Sequence, residues 1–367
     1  MRIKPENLQP NPRVLIVRLG AMGDVLHALP AVAMFRRALP EATIGWAVER
    51  RWRELLCAPE AELAGPRGVG RPLVDEVHLT DTRAWRKHPF AADTRSEFLA
   101  FRSAVRARHY DVALDLQGAI KSAVVAKISG SGSVLGFRHP RELLARVLYN
   151  AKVDTRAPHV IEMNVEVVQT CLEQIGLARA TSTLQPGAAL LPRDRASEAR
   201  IGAKISAMGL GSAPLVILNP GAGWGAKQWS TGNYGELARN LALRGMRSIV
   251  NYGPGEEELA REVAAASEGS AVPLFTSLSE LMALVRRARL FVGGDTGPMH
   301  LAAMLGVRTL ALFGPTDPAR NGPYWSGTRV LRDHSSITSY SHRKCWDAGL
   351  ESITVERALD EIAELLD

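Results

Sequence analysis

Apolar runs that close on glycine recur along this chain. Val14-Leu15-Ile16-Val17 is an unbroken aliphatic run that leads into Gly20-Ala21-Met22-Gly23-Asp24. A run without polar alternation suits a strand buried on both faces of a parallel sheet. The period then changes, with Val25, Leu29 and Val32 spaced for one face of a helix. Pro30 lies inside that pattern and is expected to kink the helix or divide it in two. Residues 43–48 and 110–116 repeat the strand pattern, and a helix is expected from Ile120. The alternation restarts with 215–218, 248–252, 289–292 and 309–313, which end on Asn219-Pro220-Gly221, Gly253-Pro254-Gly255, Gly293-Gly294-Asp295 and Gly314-Pro315. Residues 354–366 read as a terminal helix, and the Pro-, Gly- and Ala-rich stretch 181–195 reads as a linker.

Strands alternating with helical stretches predict parallel sheets covered by helices on both faces. The fold expected is therefore α/β, with two Rossmann-like domains, 1–185 and 186–367, and a cleft between them. A chain of 367 residues exceeds what one core usually organises, which agrees with two domains. In such sheets ligands bind beyond the carboxyl ends of the strands, where each polar cluster falls.

Composition adds little beyond exclusions. At 46% apolar and 23% charged residues the chain is ordinary globular material. It has no run of 18 apolar residues, so no bilayer-spanning helix is expected. The opening Met1-Arg2-Ile3-Lys4-Pro5-Glu6 lacks a signal-peptide apolar run. Cys57, Cys171 and Cys345 are too few and too far apart for a metal spacing or a disulfide framework. A cytoplasmic protein is expected, without metal or cofactor. The net charge of +7 leans towards an anionic partner, and no nucleic-acid-binding signature accompanies it.

The most informative stretch is Gly293-Gly294-Asp295-Thr296-Gly297-Pro298-Met299-His300, which follows a strand and opens a helix. Thr296 or Gly297 can cap, and Pro298 fits the first helical position. The amides and dipole of such a helix start make an anion site, for which a diphosphate is a natural guest. Turn chemistry alone accounts for Thr296, Gly297 and Pro298 but leaves Asp295 and His300 unexplained. Asp24 reads as a helix N-cap, Lys227 as a loop lysine, and Glu256-Glu257-Glu258 as a first turn favoured by the dipole. Arg83-Ala84-Trp85-Arg86-Lys87 and Arg138-His139-Pro140-Arg141 are runs that surfaces commonly carry, although arginine also suits carboxylates and phosphates.

Read together, these motifs resemble a known family. Residues 294–300, followed by Phe313-Gly314-Pro315-Thr316-Asp317-Pro318, are similar to the C-terminal signature of glycosyltransferase family 9, the bacterial heptosyltransferases. Residues 17–30 resemble its opening motif, and residues 110–122 resemble its heptosyltransferase I branch in particular. The resemblance runs from about residue 13 to the C-terminus. It implies the two-domain GT-B fold, with the acceptor on the first domain and a nucleotide-sugar on the second. It implies metal-independent, inverting transfer of heptose from ADP-heptose to the Kdo of lipid A, at the cytoplasmic face of the inner membrane.

By the same resemblance Asp24 is the catalytic base and Lys227 contacts the donor phosphate. Glu256 binds the donor ribose, Thr276 borders the base pocket, and Asp295, Thr296, Gly297 and His300 complete the donor site. Arg83, Arg86, Lys87, Lys121, Arg141 and His159 would meet the acceptor, a lipopolysaccharide precursor. Two departures stand out: Ala222-Gly223 replaces hydroxyl residues common before the lysine, and Met163 stands where arginine is common. They leave heptosyltransferase II, or another family member with a different donor or acceptor, as the alternative. A dinucleotide-dependent oxidoreductase is disfavoured because Gly20-Ala21-Met22-Gly23 is not the G-x-G-x-x-G fingerprint. A binding protein without turnover is disfavoured because Asp24, Lys227, Asp295 and His300 are all present.

Overall fold

In the computed structural model, which describes residues 11–177, 184, 186–210, 212–339 and 347–367, each apolar run named above forms a strand. The N-terminal hexapeptide, Cys345 and residues 181–183 and 185 of the expected linker lie outside the described residues. The chain forms two compact units. The first takes residues to 185 with 189–192, and the second takes 186–188 with 193–367. The linker contains a short 3-10 turn, Ala188–Leu190, and ends where the helix Arg195–Ala207 begins.

The first unit holds strands β1 (Arg13–Val17), β2 (Thr43–Glu49), β3 (Glu76–Thr80), β4 (Val112–Asp115), β5 (Ser133–Phe137) and β6 (Ala151–Val153). They form one parallel sheet in the order β3-β2-β1-β4-β5-β6. The second unit holds β7 (Leu215–Asn219), β8 (Arg247–Tyr252), β9 (Ala271–Phe275), β10 (Leu290–Gly294), β11 (Arg308–Phe313) and β12 (Thr328–Arg332). Its order, β12-β11-β10-β7-β8-β9, is the same topology. Both are parallel sheets with helical crossovers, so the expected α/β class holds. In each, the strand order reverses beside the first strand, between β1 and β4 and between β7 and β10. Helices diverge at such switch points and leave a crevice for ligands.

The central strands carry the cores. Ile16 lies opposite Trp46 and Leu114, and Val292 opposite Leu218 and Leu310, all essentially without exposure. The chain leaving β1 forms one unbroken helix, Met22–Ala38, through Pro30. The expected division at the proline does not occur. A proline removes the donor to Leu26 and crowds that turn. The helix Val160–Gln174 packs along this stretch, and its Asn164 donates to the next carbonyl, of His27, at 3.1 Å. Tertiary packing thus holds the helix together where local preference would break it. Among the described residues, no helix is long and apolar enough to cross a membrane.

Candidate active site

At the end of β1 a buried arginine interrupts the apolar run. The Arg18 backbone stays in the sheet, donating to Ala47 and accepting from the Trp46 indole. Its guanidinium donates to the Leu116 carbonyl beyond β4, and across the turn to Asp24. One Arg18 nitrogen lies 2.9 Å from Asp24 Oδ1, and Nε donates to the Asp24 carbonyl at 3.1 Å. The turn between them needs Gly20, which has φ +147°, and any Cβ there would strike the Trp52 indole.

Asp24 does not occupy the N-cap position expected of it. Ala21 is the N-cap, and Asp24 sits three residues in, where Oδ2 accepts the Ala21 amide at 3.0 Å. This is the reciprocal half of a capping box, available because Asp24 reaches back over the first turn. Burial raises the pKa of Asp24, but Arg18, the Ala21 amide and Arg141 outweigh it and hold the carboxyl below its usual value. The side chain still keeps 35% of its surface exposed. An ionised carboxylate that is oriented by two partners and open to solvent can accept a proton.

Around this turn the other predicted residues of the first unit separate into two sets. Lys121 opens the helix Ile120–Ile128 and points to Thr82 Oγ1 at 3.5 Å and Glu49 Oε1 at 3.8 Å. Thr82 begins the helix Thr82–Lys87, on which Arg83, Arg86 and Lys87 are exposed. Arg141 is exposed in a loop whose backbone lies against Gly118, close enough to act on Asp24. His159, by contrast, is buried, caps the helix Val160–Gln174 through Nδ1 to the Ile161 amide, and meets the His27 ring edge-on.

The second unit builds a more tightly connected cluster. Gly294 has no side chain because the Lys227 carbonyl passes 2.7 Å from where its Cβ would stand. That approach brings the 3-10 turn Gly225–Lys227 against the end of β10. Lys227 Nζ then lies 2.5 Å from Asp295 Oδ2 and 3.3 Å from the Asp295 carbonyl, with the Trp224 ring 5.2 Å away. Asp295 Oδ1 accepts from His300 Nε2 at 3.2 Å. The Asp295 carboxyl is 8% exposed. Burial alone would raise its pKa, yet His300 and Lys227 hold it far below the usual carboxylate range.

The helix Gly297–Met304 starts beside this cluster, with Thr296 as N-cap and Pro298 one position further in than expected. The Thr296 hydroxyl turns back to the Gly294 carbonyl at 3.3 Å and makes no cap bond to the helix. The first-turn amides are therefore not consumed by a side-chain cap, which suits an anion there. Glu256 precedes the helix Glu257–Ala266 and accepts the Gly253 amide at 2.9 Å. Its carboxylate also fills the space that a side chain at Gly221 would occupy. Thr276 is buried and donates to Asn251 Oδ1 at 2.6 Å, and Asn251 donates to Asn219 Oδ1 at 2.8 Å. This chain ties the ends of β7, β8 and β9. Trp229, part of the lysine motif, is a core residue whose indole donates to the Ile353 carbonyl.

Several residues of these sites were not singled out from the sequence. Arg18, Asp115 and Asn251 are polar, buried and at the ends of apolar strands. Asp115 accepts from the Gln117 and Gly118 amides, Ser122 and Tyr149, shaping the turn that leads to Lys121. The signal available was the polar residue closing an otherwise apolar run.

The model of glycosyltransferase family 9 (heptosyltransferase) matches residues 98–348. This chain belongs to that family, and it is a glycosyltransferase. Lipopolysaccharide heptosyltransferase 1 of Salmonella typhimurium is 31% identical over 316 residues, 85% of this chain and 91% of the relative. The structure of E. coli heptosyltransferase WaaC with ADP superposes with a TM-score of 0.75 at 27% identity, covering 96% of this chain and 99% of the other. The same enzyme with ADP-2-deoxy-2-fluoro heptose gives 0.73 over the same shares.

Proposed function

We propose that the protein transfers heptose from ADP-heptose to the Kdo sugar of a lipid A precursor, with inversion and without a metal or cofactor. The observation that carries the donor assignment is Lys227, held by Asp295 at a helix start whose amides are uncapped. A cation and backbone amides at one place suit the diphosphate of a nucleotide-sugar, and they strengthen as the leaving group gains charge. The relatives solved with ADP and with an ADP-heptose analogue support the same donor. Glu256, at the turn after β8, suits hydrogen bonds from ribose hydroxyls, as carboxylates at such strand ends do.

The chemical step is a displacement at the anomeric carbon. The acceptor hydroxyl oxygen forms the new bond, its proton passes to Asp24, and the sugar–phosphate bond breaks with its electron pair leaving on ADP. Asp24 suits this because its carboxyl is ionised and oriented before the acceptor arrives. Arg83, Arg86, Lys87, Lys121 and Arg141 give the first unit exposed cations suited to an acidic sugar and phosphates. His159 is assigned a supporting role through its helix cap. The enzyme acts in the cytoplasm, in loose contact with the inner-membrane surface that carries the acceptor.

The deciding experiment is turnover of ADP-heptose with Kdo-lipid A in EDTA, comparing the native protein with Asp24→Asn. Native turnover with a loss of about a hundredfold or more in the variant supports the reading. Near-native turnover by the variant removes Asp24 as base. Absence of turnover by both, with ADP still bound, overturns the donor or acceptor. Ala222-Gly223, in the loop before Lys227, favours one second reading, heptosyltransferase II or another family member with a different donor or acceptor, which a panel of donors and acceptors separates.

A further inference from the structure

The segment Leu143-Leu144-Ala145-Arg146-Val147-Leu148 forms a 3-10 turn. At three residues per turn its side chains fall into three columns. Ala145 is fully buried, and Leu148 in the same column packs on the core of the first unit. Leu144 and Val147 form a second column and are 70% and 74% exposed, while Leu143 is 62% exposed. The turn packs on the helix Ile120–Ile128, whose outer edge exposes Ile120 and Val124. Glu142 fixes the two together: its carboxylate accepts the Ile120 amide at 2.8 Å and its amide donates to Gly118. Five aliphatic side chains are thus left in water on two adjoining segments, whereas soluble surfaces usually scatter such residues singly.

The charges around them have one sign. Lys121 and Lys127 line the helix edge, Arg141 and Arg146 line the turn, and all four are exposed. The carboxylates beside them are Glu142, which is committed to the Ile120 amide, and Glu49, which is buried 3.8 Å from Lys121. A second copy of this chain is a poor occupant, because its net charge is +7 and its matching face would set these cations against each other. An anionic surface with an apolar layer beneath it complements both features. Apolar side chains at the headgroup boundary, with Lys and Arg facing the headgroups, are how interfacial segments lie on membranes.

We propose that the Leu143–Leu148 turn and the outer edge of the Ile120–Ile128 helix are the face by which the protein lies on an anionic phospholipid surface. Leu143, Leu144 and Val147 enter the headgroup–acyl boundary, and the four cations sit over the headgroups. The inference rests on the reading that the acceptor is carried by a lipid. It goes beyond that reading in naming the surface and in requiring apolar insertion as well as charge.

The test uses flotation with vesicles of phosphatidylcholine alone and with about a third phosphatidylglycerol, comparing the native protein with Leu144→Ser/Val147→Ser. Both side chains are exposed, so an unchanged melting temperature verifies the fold of the variant. The native protein should float with the anionic vesicles only. The variant should lose at least about fivefold of the bound fraction while transferring heptose normally to a lipid-free Kdo acceptor. Salt-sensitive binding that the double substitution leaves intact would overturn the proposal, since charge alone would then suffice. Absence of native binding, or a concentration-dependent dimer abolished by the same substitutions, would also overturn it. If no acceptor is glycosylated but vesicle binding is lost in the variant, the docking face stands and the assigned reaction falls.

Discussion

Arg18 reaches Asp24 Oδ1 at 2.9 Å while its other guanidinium nitrogen is tied to the Leu116 carbonyl. The orientation of the carboxylate is therefore set by the neighbouring strand, and its ionisation by a cation that cannot swing away. Burial pulls the Asp24 pKa up, and Arg18 is the foremost group pulling it down. If Asp24 is the base, the acid limb of kcat/KM lies below the ordinary aspartate value of about 4. Arg18→Met should move that limb to higher pH, and Arg18→Lys should move it less. A pH–rate profile at saturating donor reads both. A limb that stays in place in Arg18→Met would show that the titrating base is another group.

Lys227 and Asp295 form a pair with little solvent around it, 14% and 8% exposed. Removing Lys227 leaves the buried Asp295 carboxylate with His300 alone, which costs up to about 3 kcal/mol. Lys227→Met should therefore lower both the melting temperature and the affinity for ADP. The double variant Lys227→Met/Asp295→Asn should recover most of the melting temperature and none of the affinity. Calorimetric titration with ADP, alongside thermal unfolding, separates the two effects.

Glu256 occupies the space above Gly221, so that a Cβ there would lie 2.2 Å from Oε1. If Glu256 binds the ribose, Gly221→Ala should displace the carboxylate and weaken ADP binding about tenfold, and Glu256→Gln should do the same, since each removes a hydrogen bond to a charged group. The combination should be no worse than either alone. An additive loss would mean that Gly221 acts independently of Glu256.

His78 gives the first unit a pH-dependent stability away from the site. It is 9% exposed and hydrogen-bonded to the Tyr110 hydroxyl at 2.7 Å. Burial, followed by the charge of Arg108, pushes its pKa down to about 4. Glu76 lies 3.6 Å from the ring, but that carboxylate is matched by Arg108 at 2.8 Å. The unfolded chain takes up the histidine proton near pH 6.5 and the folded chain only near pH 4. The contribution is thus complete above about pH 6.5 and is lost as the pH falls towards 4, up to about 3 kcal/mol. Urea unfolding at the two ends of this window should show a smaller difference for His78→Gln than for the native protein.

What could be read from the sequence follows the burial of each element. β1, β2, β4, β7, β8, β10 and β11 lie inside the sheets or one place from an edge, and they appear as apolar runs. β3, β6, β9 and β12 are edge strands. They are short or carry polar residues, such as Lys152 in β6 and Arg329 in β12, or a proline, Pro273 in β9. An edge strand tolerates these because one side of it needs no partner. β5 is hidden by Ser133 and Gly136, which break its apolar run; the Tyr149 ring overlies Gly136. Asp295, Thr296, Gly297 and His300 are legible because they stand in one short motif, whereas the contact of Asp295 with Lys227, 68 residues away, needs the sheet to bring them together. Pro30 does not divide its helix because the helix Val160–Gln174, far along the chain, packs against that stretch.

The Lys227–Asp295 pair also bears on how the cycle ends. In the proposed reaction the departing ADP carries about one more negative charge than the diphosphate that entered, because its terminal phosphate is now free to ionise. A lysine with no counter-charge would grip that product harder than the donor and hold the enzyme in its spent state. Asp295 stands ready to take the cation back as the diphosphate moves off, so the site need not be left with a bare buried charge at the moment of release. If Lys227 polarises the leaving group as proposed, the same pair would limit product inhibition wherever release is slower than bond breaking.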